Sequence, residues 1–207
     1  MRDASTLYTD VQCQYNQQME NLIKHIKSRI SLTQEEVDII ETYFLIEEIE
    51  PQTSLLKAGK TERYIYFLSR GIVRGYQNVN GKLIIEHLVD EHNFFASIES
   101  FMNETPAPDY FESVTHCKIL KISKPDLELL RNYSTKWNTL IETITNEHLS
   151  CKMERVRDFQ TLSAKERYLK FIKETPNLAL NVSIENIASF LGMEPQSLSR
   201  IRKQITF

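Results

Sequence analysis

Cysteine, metal-ligand spacings and long apolar runs are scarce or missing in this sequence of 207 residues. The three cysteines, Cys13, Cys117 and Cys151, are an odd number and lie far apart, which argues against a disulfide framework and against a C-x-x-C site. The five histidines show no spacing typical of metal ligands. No apolar stretch approaches the ~20 residues that cross a bilayer, and the N-terminus lacks the features of a secretory signal. We expect a cytoplasmic protein with reduced cysteines, no cofactor, no metal and no membrane contact.

Glycine and proline are also few, with five and six residues, which excludes collagen-like and low-complexity sequences. With 41% hydrophobic and 26% charged residues, the composition is that of an ordinary globular protein. The length accommodates two modest domains, each with its own core. Because no nucleophile, base and orienting group occur in a recognisable arrangement, we do not expect an enzyme.

The net charge is only −3, but it is unevenly distributed. From Phe159 onward there are seven basic and four acidic residues, so this segment carries +3 and the rest of the chain −6. Such asymmetry indicates a polyanion partner at one end of a chain, although a segment of this charge is also common on a solvated surface.

The first two thirds of the sequence change from a helical pattern to a strand-like one. Residues 16–43 repeat apolar side chains at spacings of three and four, and Thr33 with Glu36 forms a capping box. Short β-branched and aromatic runs separated by turn residues then follow, at 46–49, 55–57, 64–68, 72–77, 83–89 and 114–122. Asn80-Gly81 is the clearest hairpin turn. This spacing predicts a small antiparallel barrel or roll.

After Pro125 the pattern is helical again, first over 126–132 and then over a long helix at 134–158. Its apolar stripe consists of Trp137, Leu140, Ile141, Ile144, His148 and Cys151. Such a stripe packs either within its own chain or against a second copy. Because it is long, continuous and placed between two domains, we expect it to form a dimer interface.

The C-terminal segment has the pattern of a helix-turn-helix. Ser163 and Glu166 form a second capping box, and the helix that they open ends before Pro176. Ser183 then caps a short helix whose apolar residues, Ile184, Ile187, Ala188 and Leu191, share one face. Gly192 provides a sharp turn, and Pro195 at a first helical position begins a second helix.

The second helix separates an apolar side from a polar, basic side. At about 100° per residue, Leu198, Ile201 and Ile205 lie on the side that faces the core. The opposite side carries side chains that pair with base edges or phosphates in the major groove. The predicted DNA-binding residues are Gln196, Ser197, Ser199, Arg200 and Lys203. An ordinary amphipathic helix with a solvated basic face is the alternative.

From about residue 20 to the end, the sequence resembles the Crp/Fnr family of bacterial regulators. The resemblance rests on AKERY, ASFLGMEPQSLSRIRK and LLKAGKTERYIYFLSRGIVRGYQNVNGKLIIEHL, with Gly59, Gly71 and Gly81 at the expected turns. It implies an α+β protein with an N-terminal antiparallel β-roll flanked by helices (residues 1–133), a long dimerisation helix (134–158) and a helix-turn-helix domain (159–207). In the family, Gln196 and Arg200 fall at base-reading positions, whereas Pro195 departs from members with arginine there. Because the sequence stops at Phe207, we expect no C-terminal β-hairpin wing.

The sequence departs from the family members that bind cyclic AMP. Their cassette has a Gly-Glu pair and, further on, an Arg followed by Ser or Thr, whereas this sequence has Ala96, Ser97, Ala107 and Pro108 at those positions. A buried cyclic phosphate would therefore have no charged partner. Aromatic residues dominate the segment and either line an apolar pocket or, as we favour, fill the roll. The candidate effector residues are Phe95, Ser97, Ala107, Pro108 and Tyr110.

The resemblance implies a homodimeric transcriptional regulator that binds a palindromic operator in double-stranded DNA, with RNA polymerase as a further partner. It also implies a small-molecule effector, whose identity is unknown, and the departures in the cassette argue against cyclic AMP. The sequence lacks the N-terminal cysteine cluster of iron–sulfur members, and no position indicates haem. The alternative is a small-molecule-binding or protein-interaction module whose helical tail does not read DNA.

Overall fold

The computed structural model describes the backbone of residues 4–205 and the side chains of residues 16–205. The strands are β1 (Leu45–Ile49), β2 (Ser54–Leu56), β3 (Tyr64–Arg70), β4 (Val73–Val79), β5 (Lys82–Val89), β6 (Asn93–Phe95), β7 (Tyr110–Ser113) and β8 (Cys117–Ser123). The helices are α1 (Ala4–Lys27), α2 (Gln34–Tyr43), α3 (Ile98–Asn103), α4 (Lys124–Tyr133), α5 (Lys136–Thr161), α6 (Ala164–Glu174), α7 (Pro176–Asn181), α8 (Ile184–Phe190) and α9 (Pro195–Ile205).

The strands form a roll of two four-stranded antiparallel sheets, ordered β1-β8-β3-β6 and β2-β7-β4-β5. The hairpin between β4 and β5 turns at Asn80 and Gly81, which both have positive φ as expected. Side chains alternate across β3, so that Phe67 faces the flanking helices and Leu68 faces the space between the sheets. The strand order leaves β5 at the edge of its sheet.

Three apolar cores hold the described part of the chain together. The first joins α1, α2, α4 and the start of α5 to one sheet and includes Trp137. The second fills the roll between the two sheets. The third lies within the C-terminal helices and also includes Ile72 of the roll. The C-terminal helices are therefore packed against the roll in this structure.

Local capping signals explain where several helices begin. Thr33 and Glu36 form the expected capping box at the start of α2, and Ser163 and Glu166 form the one at the start of α6. Both predictions are confirmed. Pro176 follows the end of α6 as predicted, but it also opens the short helix α7, which the sequence did not indicate.

The strands β6 and β7 were not predicted, because each is short and each belongs to a segment that was interpreted only as aromatic filling. Among the described side chains, Cys117 is a buried free cysteine and Cys151 an exposed one; Cys13 lies outside the described side chains. Among the helices that the structure describes, none combines the length and apolarity needed to span a membrane.

The C-terminal helices contact the edge strand β5 through α8. The Ser189 hydroxyl accepts a hydrogen bond from the Ile85 amide (3.0 Å) and donates one to the Leu83 carbonyl (3.0 Å). Nearby, the Arg74 guanidinium donates to the Asn186 side chain at 3.1 Å. The Ser189 hydroxyl thus pairs with one amide and one carbonyl on the open edge of β5, where no neighbouring strand bonds to them.

Candidate nucleic-acid interface and effector region

The two C-terminal helices α8 and α9 are joined by the sharp turn that the sequence predicts. The Ser183 hydroxyl accepts a hydrogen bond from the Asn186 amide and begins α8. Gly192 adopts a φ of 63°, and Pro195 is the first residue of α9. A Cβ at Gly192 would lie 2.7 Å from Cε1 of Phe159 in α5. The turn is therefore packed tightly against the end of the long helix.

The outward side of α9 has the predicted polar character. Leu198 and Ile201 are buried against the C-terminal core. Gln196, Arg200 and Lys203 are exposed on the other side. Within the described part of the chain, none of these three side chains makes a hydrogen bond or ion pair, so all are free to contact a partner.

The remaining polar residues of α9 differ from these three. Ser197 and Ser199 are half-buried, so they lie beside the three exposed residues but leave less of their surface accessible. Arg202 was not among the predicted DNA-binding residues, and its guanidinium donates to the Tyr168 hydroxyl (3.0 Å) and to the Ala179 carbonyl (3.2 Å). Arg202 therefore holds α9 against α6 and α7 and is not presented to solvent like Arg200.

The structure changes the expected dimer residues on α5. Trp137 and Leu140 are buried in the core of their own domain, and Ile141 and Ile144 pack against it. His148 is half-buried and Cys151 is exposed. Most of the predicted stripe is therefore occupied by intrachain packing and does not form a free surface.

A second apolar stripe on α5 is exposed. Leu149, Met153 and Val156 leave 57%, 59% and 49% of their surface accessible and lie at spacings of four and three residues. These three residues, called the outer stripe below, share one helix face. Sequence periodicity did not separate this stripe from the one that faces the core, because both are apolar at similar spacing.

The segment that replaces the cyclic AMP cassette is acidic. Ser97 precedes α3, and its hydroxyl donates to the buried Asp109 carboxylate at 2.6 Å. The Glu62 side chain is also buried, and its Oε1 accepts from the Arg63 and Tyr64 amides. Burial raises the pKa of Glu62. Carboxylates at this place oppose an anionic ligand.

Two of the other candidate effector residues stack on tyrosine rings. Phe95 is buried and stacks on Tyr66 with ring centroids 5.0 Å apart. Tyr110 is half-buried and stacks on Tyr76 at 5.1 Å. Ala107 is buried and Pro108 is exposed. The contacts agree with the preferred interpretation that the aromatic side chains fill the roll.

A cavity that the sequence did not reveal lies between β5, α5 and the C-terminal helices α6–α8. Its volume is about 350 Å³. Its walls include His87 from β5, Arg155 from α5 and Phe190 from α8. These residues are far apart in the sequence and share no motif. None of the five candidate effector residues lines this cavity.

Residues 46–133 match the family model of the cyclic nucleotide-binding domain. This segment extends from β1 to the end of α4, so the roll and the helix that follows it are similar to that domain. None of the curated protein sequences compared with the chain matches it significantly.

Solved structures with a similar fold include several regulators. FixK2 from Bradyrhizobium japonicum has 17% identity and a TM-score of 0.68, with 78% of this chain and 84% of that chain covered. The c-di-GMP responsive global regulator CLP from Xanthomonas campestris has 13% identity and a TM-score of 0.66, covering 82% and 89%. Catabolite activator protein from Thermus thermophilus has 16% identity and a TM-score of 0.53, covering 87% and 86%. At such identities the likeness concerns the fold, and it confirms the Crp/Fnr architecture of roll, long helix and C-terminal helices.

Proposed function

We propose that the protein is a homodimeric, sequence-specific DNA-binding transcriptional regulator whose recognition helix is α9. The observation that carries this proposal is the exposed, unbonded set of Gln196, Arg200 and Lys203 opposite the buried Leu198 and Ile201. Arginine pairs bidentately with guanine and glutamine with adenine in the major groove, while lysine holds phosphates. The short helix α8 and the turn at Gly192 support α9 as the first helix does in a helix-turn-helix.

Dimerisation through α5 is the second part of the proposal. The outer stripe supports it, because three half-exposed apolar side chains on one helix face are suited to burial against a second copy. A two-fold dimer would present two α9 helices to the halves of a palindromic operator. RNA polymerase as a further partner stays a prediction from the family resemblance.

We further propose that the effector is a small molecule other than cyclic AMP. The buried Asp109 carboxylate and the buried Ala107 at the arginine position of the cassette support this, because a cyclic phosphate placed there would meet an acid in place of an arginine fork. Calorimetry with millimolar cyclic AMP should detect no tight binding. A dissociation constant in the low micromolar range would contradict the argument from the cassette.

The deciding experiment selects genomic DNA fragments bound by the full chain at moderate salt and then compares variants on a selected duplex and a scrambled one. Arg200→Ala should cost ~1–3 kcal/mol on the selected duplex and relax preference at one position in each half-site. Lys203→Ala should weaken binding to both duplexes alike and flatten the salt dependence. Neither side chain packs in the core, so stability should change little.

Arg63→Ala is the matched control, because Arg63 is exposed on the roll and its removal deletes the same charge. If Arg200→Ala and Arg63→Ala leave the same ratio of selected to scrambled affinity, Arg200 does not read a base. If no fragment is enriched by the wild-type chain, the alternative of a binding module without DNA recognition is preferred.

A further inference from the structure

The cavity between β5, α5 and the C-terminal helices contains a group of basic side chains. His148, Lys152 and Arg155 lie on one face of α5 at spacings of four and three residues, and His87 of β5 faces them. In the described part of the chain, neither Lys152 nor Arg155 lies within ion-pair distance of a carboxylate. The carboxylates of Glu154 and Asp158 are instead held by Lys170, at 2.6 and 2.7 Å. Glu86, Asp90 and Glu174 also line the cavity, and the Glu86 carboxylate acts on the Arg155 charge from beyond ion-pair distance. Lys152 and Arg155 therefore face this space without a direct ion pair.

Arg155 is the most informative of these groups. It is half-buried, and its Nη1 donates to the Glu86 carbonyl at 2.6 Å. Its other guanidinium nitrogens make no hydrogen bond to the described residues. Burial lowers the pKa of Arg155, and the Glu86 carboxylate opposes this shift. A desolvated guanidinium with free donors is suited to bind an anion.

The two histidines contribute donors without charge. Burial lowers the pKa of His148, and burial with the neighbouring cations lowers the pKa of His87 to about 3. Both rings are therefore neutral near pH 7, and each neutral ring has one N–H. The His148 N–H is already bonded to the Phe94 backbone carbonyl, so only His87 can donate to a ligand. The charge that attracts a ligand comes from Lys152 and Arg155.

Aromatic rings form the other part of the cavity wall. Phe190 lies under the Arg155 guanidinium, with 4.7 Å between its ring centroid and Cζ, and Phe171 is 6.0 Å from Phe190. Phe94 contributes a third ring from the roll. Flat apolar walls beside a cation are typical of sites for planar molecules, and the volume of about 350 Å³ fits a small ligand.

We propose that this interdomain cavity, and not the segment around Ser97, is the effector site, and that it binds a small anion with a planar aromatic body. An aromatic carboxylate is the simplest member of this class. The anionic group contacts Arg155 and Lys152, and the ring lies among Phe94, Phe171 and Phe190. Its regulatory meaning rests on the proposed function: because β5, α5 and α8 all line the cavity, an occupant changes how the DNA-binding helices dock on the roll.

The site is tested without DNA, by calorimetric titration of the full chain with 1-naphthoate and with its uncharged analogue 1-naphthylmethanol. The expected result is one 1-naphthoate per chain with a dissociation constant of about 1 mM or lower, and at least about tenfold weaker binding of the alcohol. Arg155→Gln and Lys152→Gln should each weaken 1-naphthoate about tenfold, because each removes a charge-assisted contact. Lys152 is exposed, so its variant keeps the test valid even if Arg155→Gln fails to fold.

Arg157→Gln is the matched control, because Arg157 is an exposed arginine of the same helix outside the cavity wall. It should leave 1-naphthoate binding unchanged. Equal binding of acid and alcohol, no saturable binding up to about 10 mM, or an effect of Arg157→Gln equal to that of Lys152→Gln would each overturn the site assignment.

The regulatory part is tested separately, by measuring affinity for a selected DNA duplex with and without saturating 1-naphthoate. We expect a change of at least about threefold, corresponding to a modest coupling between the sites. An unchanged affinity would overturn the coupling even where calorimetry shows binding. If no DNA fragment is selected at all, the proposed function fails, while the calorimetric titrations still decide the site.

Discussion

Replacing Gly192 with alanine should destabilise the C-terminal domain by two separable effects. The φ of 63° at this position costs a residue with a Cβ about 1–2 kcal/mol. The new Cβ would also lie 2.7 Å from Cε1 of Phe159, so the ring must move away from the turn. Phe159 is 40% exposed, so its ring can turn toward solvent, at the cost of a strained rotamer and of its contact with the Arg167 guanidinium 5.3 Å away. We expect ~0.5–1.5 kcal/mol for this displacement, and a total of about 1.5–3.5 kcal/mol.

Gly59→Ala is the matched control for the conformational part. Gly59 has a φ of 82°, but a Cβ there meets no atom within 4 Å, so only the backbone cost of about 1–2 kcal/mol remains. Urea unfolding followed by circular dichroism gives the free energy of unfolding for each variant. Combining Gly192→Ala with Phe159→Ala should recover most of the difference between the two glycine variants.

Equal losses of stability in Gly192→Ala and Gly59→Ala would show that Phe159 does not press on the turn. A loss near zero in both would refute the backbone argument as well. A large loss in Gly192→Ala that Phe159→Ala does not relieve would indicate that a different neighbour resists the Cβ.

Three further predictions concern α5, the domain contact and pH. Leu149→Glu should convert the proposed dimer to a monomer in sedimentation. Leu129→Glu should not, because this leucine of similar exposure (51%) lies on α4. A wild-type monomer at micromolar concentration would reject dimerisation. Ser189→Ala should speed hydrogen exchange of the Ile85 amide about tenfold by removing its acceptor, and an unchanged rate would show that the contact does not persist in solution. Burial lowers the pKa of His87 to about 3, while an unfolded histidine titrates near ~6.5. The free energy of unfolding should therefore fall by up to ~1.4 kcal/mol for each pH unit below pH ~6.5. His87→Gln should reduce this slope in urea unfolding between about pH 7 and about pH 5.

The parts of the fold that could be predicted are those encoded over a few residues. The capping boxes at Thr33 and Ser163, the turn at Gly192 and the start of α9 at Pro195 depend on side chains next to the backbone groups that they satisfy. The orientation of α9 followed from its period, since Leu198 must face inward. The exposed residues of the candidate site, Gln196, Arg200 and Lys203, could therefore be predicted from the sequence.

The parts that could not be predicted depend on contacts between distant segments. Periodicity showed that α5 has an apolar face, but not whether its own domain or a second chain covers it, and Trp137 is in fact covered by the helices and one sheet of its own domain. The bond between Ser189 and β5, and the cavity beside Arg155, join residues about 70 to 100 positions apart. No local pattern encodes such pairings, because each partner alone has the character of an ordinary surface residue.

The position of Ser189 on β5 also bears on how the roll avoids self-association. An edge strand presents unpaired amides and carbonyls that another sheet can pair with, and natural proteins cover or interrupt such edges. Here α8 lies along β5 and occupies the Ile85 amide and the Leu83 carbonyl. Any state in which the C-terminal helices leave the roll would uncover this edge. The same contact that orients the C-terminal helices thus shields this edge from pairing with a strand of another chain.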